Sequence, residues 1–165
     1  LIALQTREEL LSNYENLNVV ETQFPVGKIK GYYKRNRYFP NGLVLLNDDY
    51  DHYVQNGVLA EELGHHETSY GNILGVYSKE DNINAARQEL KARRFGFKLV
   101  IPLEKLIKCY KDGTWGDLYA MCLTMQIDRS YFYEAIEDYK KQFGNYVKYD
   151  GYYIQFEPLN IKKID

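Results

Sequence analysis

The chain has 165 residues, of which 45% are hydrophobic and 27% charged, with a formal net charge of −2. That is enough apolar material for the core of one domain, or of one domain with an appendage, and it excludes a largely disordered chain. The near-neutral balance argues against a protein built to coat nucleic acid, and no uncharged apolar stretch approaches a membrane span. Two cysteines, Cys109 and Cys122, are too few for a disulfide scaffold, so the expectation is a globular cytoplasmic protein with both thiols buried as small apolar groups. Tyrosine is the odd entry, with 17 residues, and its apolar ring with a polar tip suits contact surfaces.

Leu10, Leu11, Tyr14 and Leu17 recur at helical spacing behind Thr6, Glu8 and Glu9. An oxygen cap and early acids suit a helix start, so a helix is predicted over residues 6–17. Three β-favouring runs follow, at residues 19–24, 29–35 and 43–47, separated by Pro25-Val26-Gly27 and Pro40-Asn41-Gly42. They read as a small β-meander behind that helix. Asp48 and Asp49 can cap a further helix running to about residue 67, with Tyr53, Val58, Leu59, Leu63 and His66 around one side. Gly57 and Gly64 each weaken such a helix by roughly 1 kcal/mol relative to Ala, so small residues there point to a close-packed neighbour.

A polar connection containing Tyr and Gly spans residues 69–82. Residues 84–100 are then helical and basic, with Arg87, Lys91, Arg93, Arg94 and Lys98, and they end before Pro102. Further helices are predicted at 103–111, 117–125 and 129–143, with Asp128 as a cap for the last. Residues 146–148 and 152–156 flank Asp150-Gly151, a strong hairpin signal. The order is that of an α+β chain.

Chemistry is concentrated in Val58-Leu59-Ala60-Glu61-Glu62-Leu63-Gly64-His65-His66. In zincins, two histidines four residues apart share one helical face and bind zinc, and the Glu after the first takes a proton from the attacking water. Here Glu61 stands where the first histidine would be, Glu62 where the base would be, and His65 where the second histidine would be. A carboxylate can replace an imidazole on zinc, but it lowers the positive charge of the site and acidifies water less. Taken alone, the same string also describes a solvated helix face with a capping histidine.

The rest of the chain adds to this. Ala60 through His66, then Thr68-Ser69-Tyr70-Gly71-Asn72, Arg87 through Arg94, Leu99-Val100-Ile101-Pro102 and the late Tyr153 through Pro158 together resemble the ImmA/IrrE family of metallopeptidase-like proteins. The likeness is greatest to the branch encoded beside repressors in phages and mobile elements. It implies an α+β fold with a zincin-like core over residues 1–102: an N-terminal helix, a small antiparallel-rich sheet, the motif helix and a backing helix. A C-terminal helical region with a β-hairpin, residues 103–165, would pack on that core as one unit.

The implied activity is Zn2+-dependent cleavage of a helix-turn-helix repressor, with Glu62 as general base and His65 and Glu61 as ligands. The alternative is an impaired or inactive relative that antagonises the repressor by stoichiometric binding. The family's third, acidic ligand precedes a segment matched here by Phe95, Gly96, Leu99 and Pro102. Counting back from Pro102 it falls on Lys91, which cannot bind zinc while protonated. Glu89 is the nearest carboxylate and is taken as the third ligand. It lies two residues earlier, about 160° around the helix, so it reaches the metal only if that helix is shifted or rotated.

Other residues have plainer readings. His66 is also placed four residues from Glu62, but a hydrogen-bonded structural role is the simpler one. His52 approaches the site only if the helix begins after it. Thr68 and Tyr70 suit a helix terminus as well as a cleft. The basic run at 87–98 is explained by a solvated face or by salt bridges to the motif helix. In the helix pair at 117–138, Glu134, Glu137 and Asp138 would face phosphates, so direct nucleic-acid binding is not expected and a Tyr-rich protein-facing surface is.

Overall fold

The computed structural model describes residues 6–25, 29–68 and 79–165, with side chains from residue 83 onward in its last segment. The turn expected at 25–27 and most of the connection at 69–82, Tyr70 included, therefore lie outside the described residues. The elements are α1 (Thr6–Leu11), β1 (Asn18–Thr22), β2 (Gly31–Lys34), β3 (Leu43–Asn47), α2 (His52–Thr68), α3 (Lys79–Val100), α4 (Leu103–Lys111), α5 (Leu118–Met125), α6 (Arg129–Phe143), β4 (Tyr146–Tyr149), β5 (Tyr152–Phe156) and β6 (Leu159–Lys163). They form two compact units, residues 1–100 and 101–165.

In the first unit the sheet is not the expected meander. Its order is β1-β3-β2, with β1 parallel and β2 antiparallel to β3. The reason lies in β3, where Leu43, Val44 and Leu46 are all buried. A continuous apolar strand needs cover on both faces and neighbours on both sides, so it takes the centre and leaves the more polar strands at the edges. The β2–β3 connection turns on Asn36, whose side-chain oxygen accepts from the backbone amides of Tyr38 and Phe39 at 2.9 and 3.0 Å.

Helix α1 stops at Leu11 rather than continuing to residue 17. The Ser12 hydroxyl donates to the Glu9 carbonyl at 2.7 Å, a local bond that competes with the helix, and single turns then lead into β1. The cap of α2 is Asp51, whose carboxylate accepts from the Val54 amide at 2.9 Å. Asp48 and Asp49 instead lie in the preceding turn, where the Asn47 side chain accepts from the Asp49 amide.

Along α2, Gln55, Asn56, Leu59, Ala60, Leu63 and Gly64 are buried. Gly64 meets the backbone of Ala92 on α3: a Cβ placed there would lie 2.7 Å from the Ala92 carbonyl carbon and 2.8 Å from its Cα. Only a glycine lets the two helices approach this closely. Gly64→Ala should therefore destabilise the protein by about 1–3 kcal/mol, as overpacked cores do. A urea denaturation midpoint equal to that of the native chain would show that the helix backbones do not touch. Helix α3 begins five residues before the predicted start and ends ahead of Pro102, with Ala92, Phe97 and Val100 buried.

In the second unit Leu106, Ile107, Met121, Met125, Ile127, Phe132 and Ala135 from α4 to α6 are buried, as are Ile154, Phe156 and Ile161 of an antiparallel sheet ordered β4-β5-β6. Asp150 and Gly151 have φ of 47° and 81°, the left-handed pair that a tight hairpin turn requires. Strand β6 was not anticipated, because Ile161 is its single buried side chain and the periodic signal is short. Asp117 caps α5 by accepting from the Ala120 amide at 3.0 Å. Asp128 occupies the cap position of α6 but does not make the side-chain bond.

Both cysteines are buried free thiols. The tyrosines divide between roles: Tyr131, Tyr139 and Tyr152 are buried, and the Tyr139 hydroxyl donates to the Ile101 carbonyl at 2.7 Å, whereas Tyr119, Tyr133 and Tyr146 are exposed. Among the described residues, no helix is long and apolar enough to cross a membrane.

Candidate metal centre

The contact between Gly64 and Ala92 sets the geometry of the site. Glu61 is one turn before Gly64 on α2, and Glu89 is one turn before Ala92 on α3, so each lies on its helix's contact side. His65 follows Gly64 directly. Its Nε2 lies 3.1 Å from a carboxylate oxygen of Glu89. Ligand atoms of Glu61, His65 and Glu89 all fall within 4.8 Å of one another. Lys91, adjacent to Ala92 and so about 100° away from the contact, is exposed. The rotation of α3 thus brings in the carboxylate and turns the lysine out.

His65 is buried, and its Nδ1 has no hydrogen-bond partner among the described residues. Its Nε2 is the nitrogen that faces the Glu89 carboxylate. The Glu89 side chain is 47% exposed, so the cluster opens to solvent on the α3 side. One imidazole nitrogen and two carboxylates form a donor set that zinc accepts. The residues present fit a divalent cation.

Glu62 lies beside this cluster, over β2. A Cβ at Gly31 would come within 3.4 Å of a Glu62 carboxylate oxygen and would collide with Val58, so glycine makes room for α2 on the strand. Burial is the main cause that pushes the Glu62 carboxyl up to about 8 from 4.5, and the charges of Glu61 and Glu89 add to it. That places its proton affinity near neutral pH.

The other histidines stand apart from the cluster. His66 Nδ1 is 2.8 Å from the Tyr33 hydroxyl and 3.2 Å from the Arg35 guanidinium, and the edges of Tyr14 and Tyr33 pack on its ring. Burial, and then Arg35, lowers its pKa and favours the neutral ring. His52 is the exposed first residue of α2, more than three turns before His65. Thr68 closes the last turn by donating to the Gly64 carbonyl at 2.7 Å. The residues that sequence reasoning missed are Gly31, Tyr33 and Arg35. Their period-two spacing was visible, and it puts Gly31 and Tyr33 on the face of β2 toward α2.

Residues 13–140 match the IrrE N-terminal-like domain. The chain belongs to the ImmA/IrrE family. Comparisons with curated proteins and with solved structures found no match. ImmA/IrrE domains are zinc-dependent metallopeptidase domains with a zincin-like core. This member carries a Glu-His-Glu group, Glu61, His65 and Glu89, that could hold a metal ion.

Proposed function

We propose that this ImmA/IrrE protein is a zinc-dependent endopeptidase that relieves repression by cleaving a helix-turn-helix repressor of a phage or mobile element. The observation that carries the reading is the convergence of Glu61, His65 and Glu89 beside the buried carboxyl of Glu62. Glu61, His65 and Glu89 would hold the ion. When bound, it supplies Lewis acidity toward a peptide carbonyl and offsets the repulsion among the neighbouring carboxylates.

Glu62 is the proton carrier in this scheme. As the carboxylate it accepts a proton from the attacking water, and as the acid it gives that proton to the departing amine. Strand β2 is at the sheet edge, paired only with β3 among the described residues, and it runs past Glu62 at Gly31. Its free edge offers main-chain donors and acceptors to an extended substrate segment.

A second reading, stoichiometric antagonism of the same repressor, is favoured by the donor set itself. Two carboxylates neutralise the charge of a divalent ion, so water at such a site is acidified less than beside two neutral imidazoles. Both readings are tested by incubating the full chain and Zn2+ with the repressor encoded beside its gene. Cleavage predicts two fragments on a gel, lost on chelation. A full-length repressor released from its operator within a stable complex would establish the second reading. Neither fragments nor a complex would overturn both.

A further inference from the structure

The edge strand beside Glu62 lies in a stretch of the sequence whose charges are all positive. Between Glu21 and Asp48 there are five basic residues, Lys28, Lys30, Lys34, Arg35 and Arg37, and no Asp or Glu, in a chain whose net charge is −2. The four on described backbone have neutral neighbours. Lys30 sits over the Tyr50 ring at 5.6 Å, and Lys34 over Phe39 at 5.2 Å. Arg37 lies over Tyr38 at 4.8 Å, and Arg35 bonds to His66. None of these contacts removes charge. No ion pair joins any of the four to a carboxylate among the described residues.

The pleat decides where the charges point. Gly31 and Tyr33 face α2, so Lys30 and Lys34 fall on the opposite face of the same edge. A segment laid along β2 also alternates. The side chains it turns away from α2 stand in register with Lys30 and Lys34, at the spacing where opposite charges attract and like charges repel. Resting on the endopeptidase reading above, we propose that the segment held along β2 is acidic, with Asp or Glu at alternate positions. The basic edge then selects the substrate by charge, while the residues around Glu62 act on its backbone.

The test uses the full chain carrying Glu62→Gln, to prevent turnover, with zinc present at low ionic strength. Two labelled dodecapeptides of equal length are compared by fluorescence polarisation, one with Glu and one with Lys at alternate positions. The acidic peptide should bind tighter by roughly tenfold, because the two opposed pairs, at Lys30 and Lys34, each contribute about two- to fivefold. The preference should shrink as salt is raised. The double substitution Lys30→Glu with Lys34→Glu, checked for unchanged circular dichroism, should reverse it. Equal binding of the two peptides, or binding of neither, overturns the proposal. So does a single-stranded oligothymidylate that binds as tightly as the acidic peptide, since the strip would then be a site for any polyanion. Cleavage of the repressor by the native chain with Zn2+ is followed in parallel. A charge preference without cleavage sinks the endopeptidase reading and leaves this inference standing, and cleavage without a charge preference does the reverse.

Discussion

Glu62→Gln is expected to make the metal-free protein more stable at alkaline pH while removing proton transfer at the site. The Glu62 carboxyl is raised to about 8 from 4.5, first by burial and then by the charges of Glu61 and Glu89. Folding therefore favours its protonated form. The stability this contributes is fully present below the unfolded value of 4.5, and it is lost as pH rises through the folded value of about 8. Between those limits the unfolded chain has released the proton and the folded chain keeps it, so stability falls by about 1.4 kcal/mol per pH unit from this group. Glutamine is neutral throughout. The variant should match the native chain near about pH 4 and exceed it by a few kcal/mol near about pH 9, measured by urea denaturation with a chelator present. A difference that does not change with pH would mean that the Glu62 carboxyl is not buried in the folded chain. On a cleavable substrate the same substitution should cost about 10²–10⁴ in rate, the usual worth of a positioned general base, while binding persists because the amide is nearly isosteric.

His65→Ala should abolish stabilisation by zinc. An ion that binds only the folded chain stabilises it by about 2.7 kcal/mol at a hundred times its dissociation constant, which a thermal melt reads directly. His65 contributes the single imidazole nitrogen of the cluster, so its loss leaves only two carboxylates, Glu61 and Glu89. Glu89→Gln should weaken uptake more moderately, because an amide oxygen still ligates but brings no charge. His66→Ala is the control: its ring contacts Tyr33, Arg35 and Tyr14, so zinc stabilisation should survive that change. Metal content of purified protein should follow the same order. Zinc stabilisation unchanged in His65→Ala would put the ion at another site.

How far the sequence could be read depended on the range of the interaction concerned. The spacing of Glu61 and His65 is a property of one helix, and so their shared face was visible from the helical period alone. The bounds of α4 and α6 and the β4–β5 hairpin were equally local, set by Pro102, Gly144 and the Asp150-Gly151 turn. The likeness carried by the motif and its following segments pointed to the family that residues 13–140 match.

Tertiary contacts decided the rest. Counting along α3 placed Lys91 at the third ligand position, because a count carries no information about how the helix is rotated. That rotation comes from the fit of Gly64 against the Ala92 backbone, which puts Glu89 at His65 and Lys91 in solvent. The strand order came from the burial of β3 on both faces, where turn residues alone suggested a meander. His65 and His66 are adjacent in sequence and face opposite partners, Glu89 for one and Tyr33 with Arg35 for the other. The local period determines which residues of one helix share a face. What that face meets is set by the depth and rotation at which a second helix packs, and those depend on residues far away in the chain.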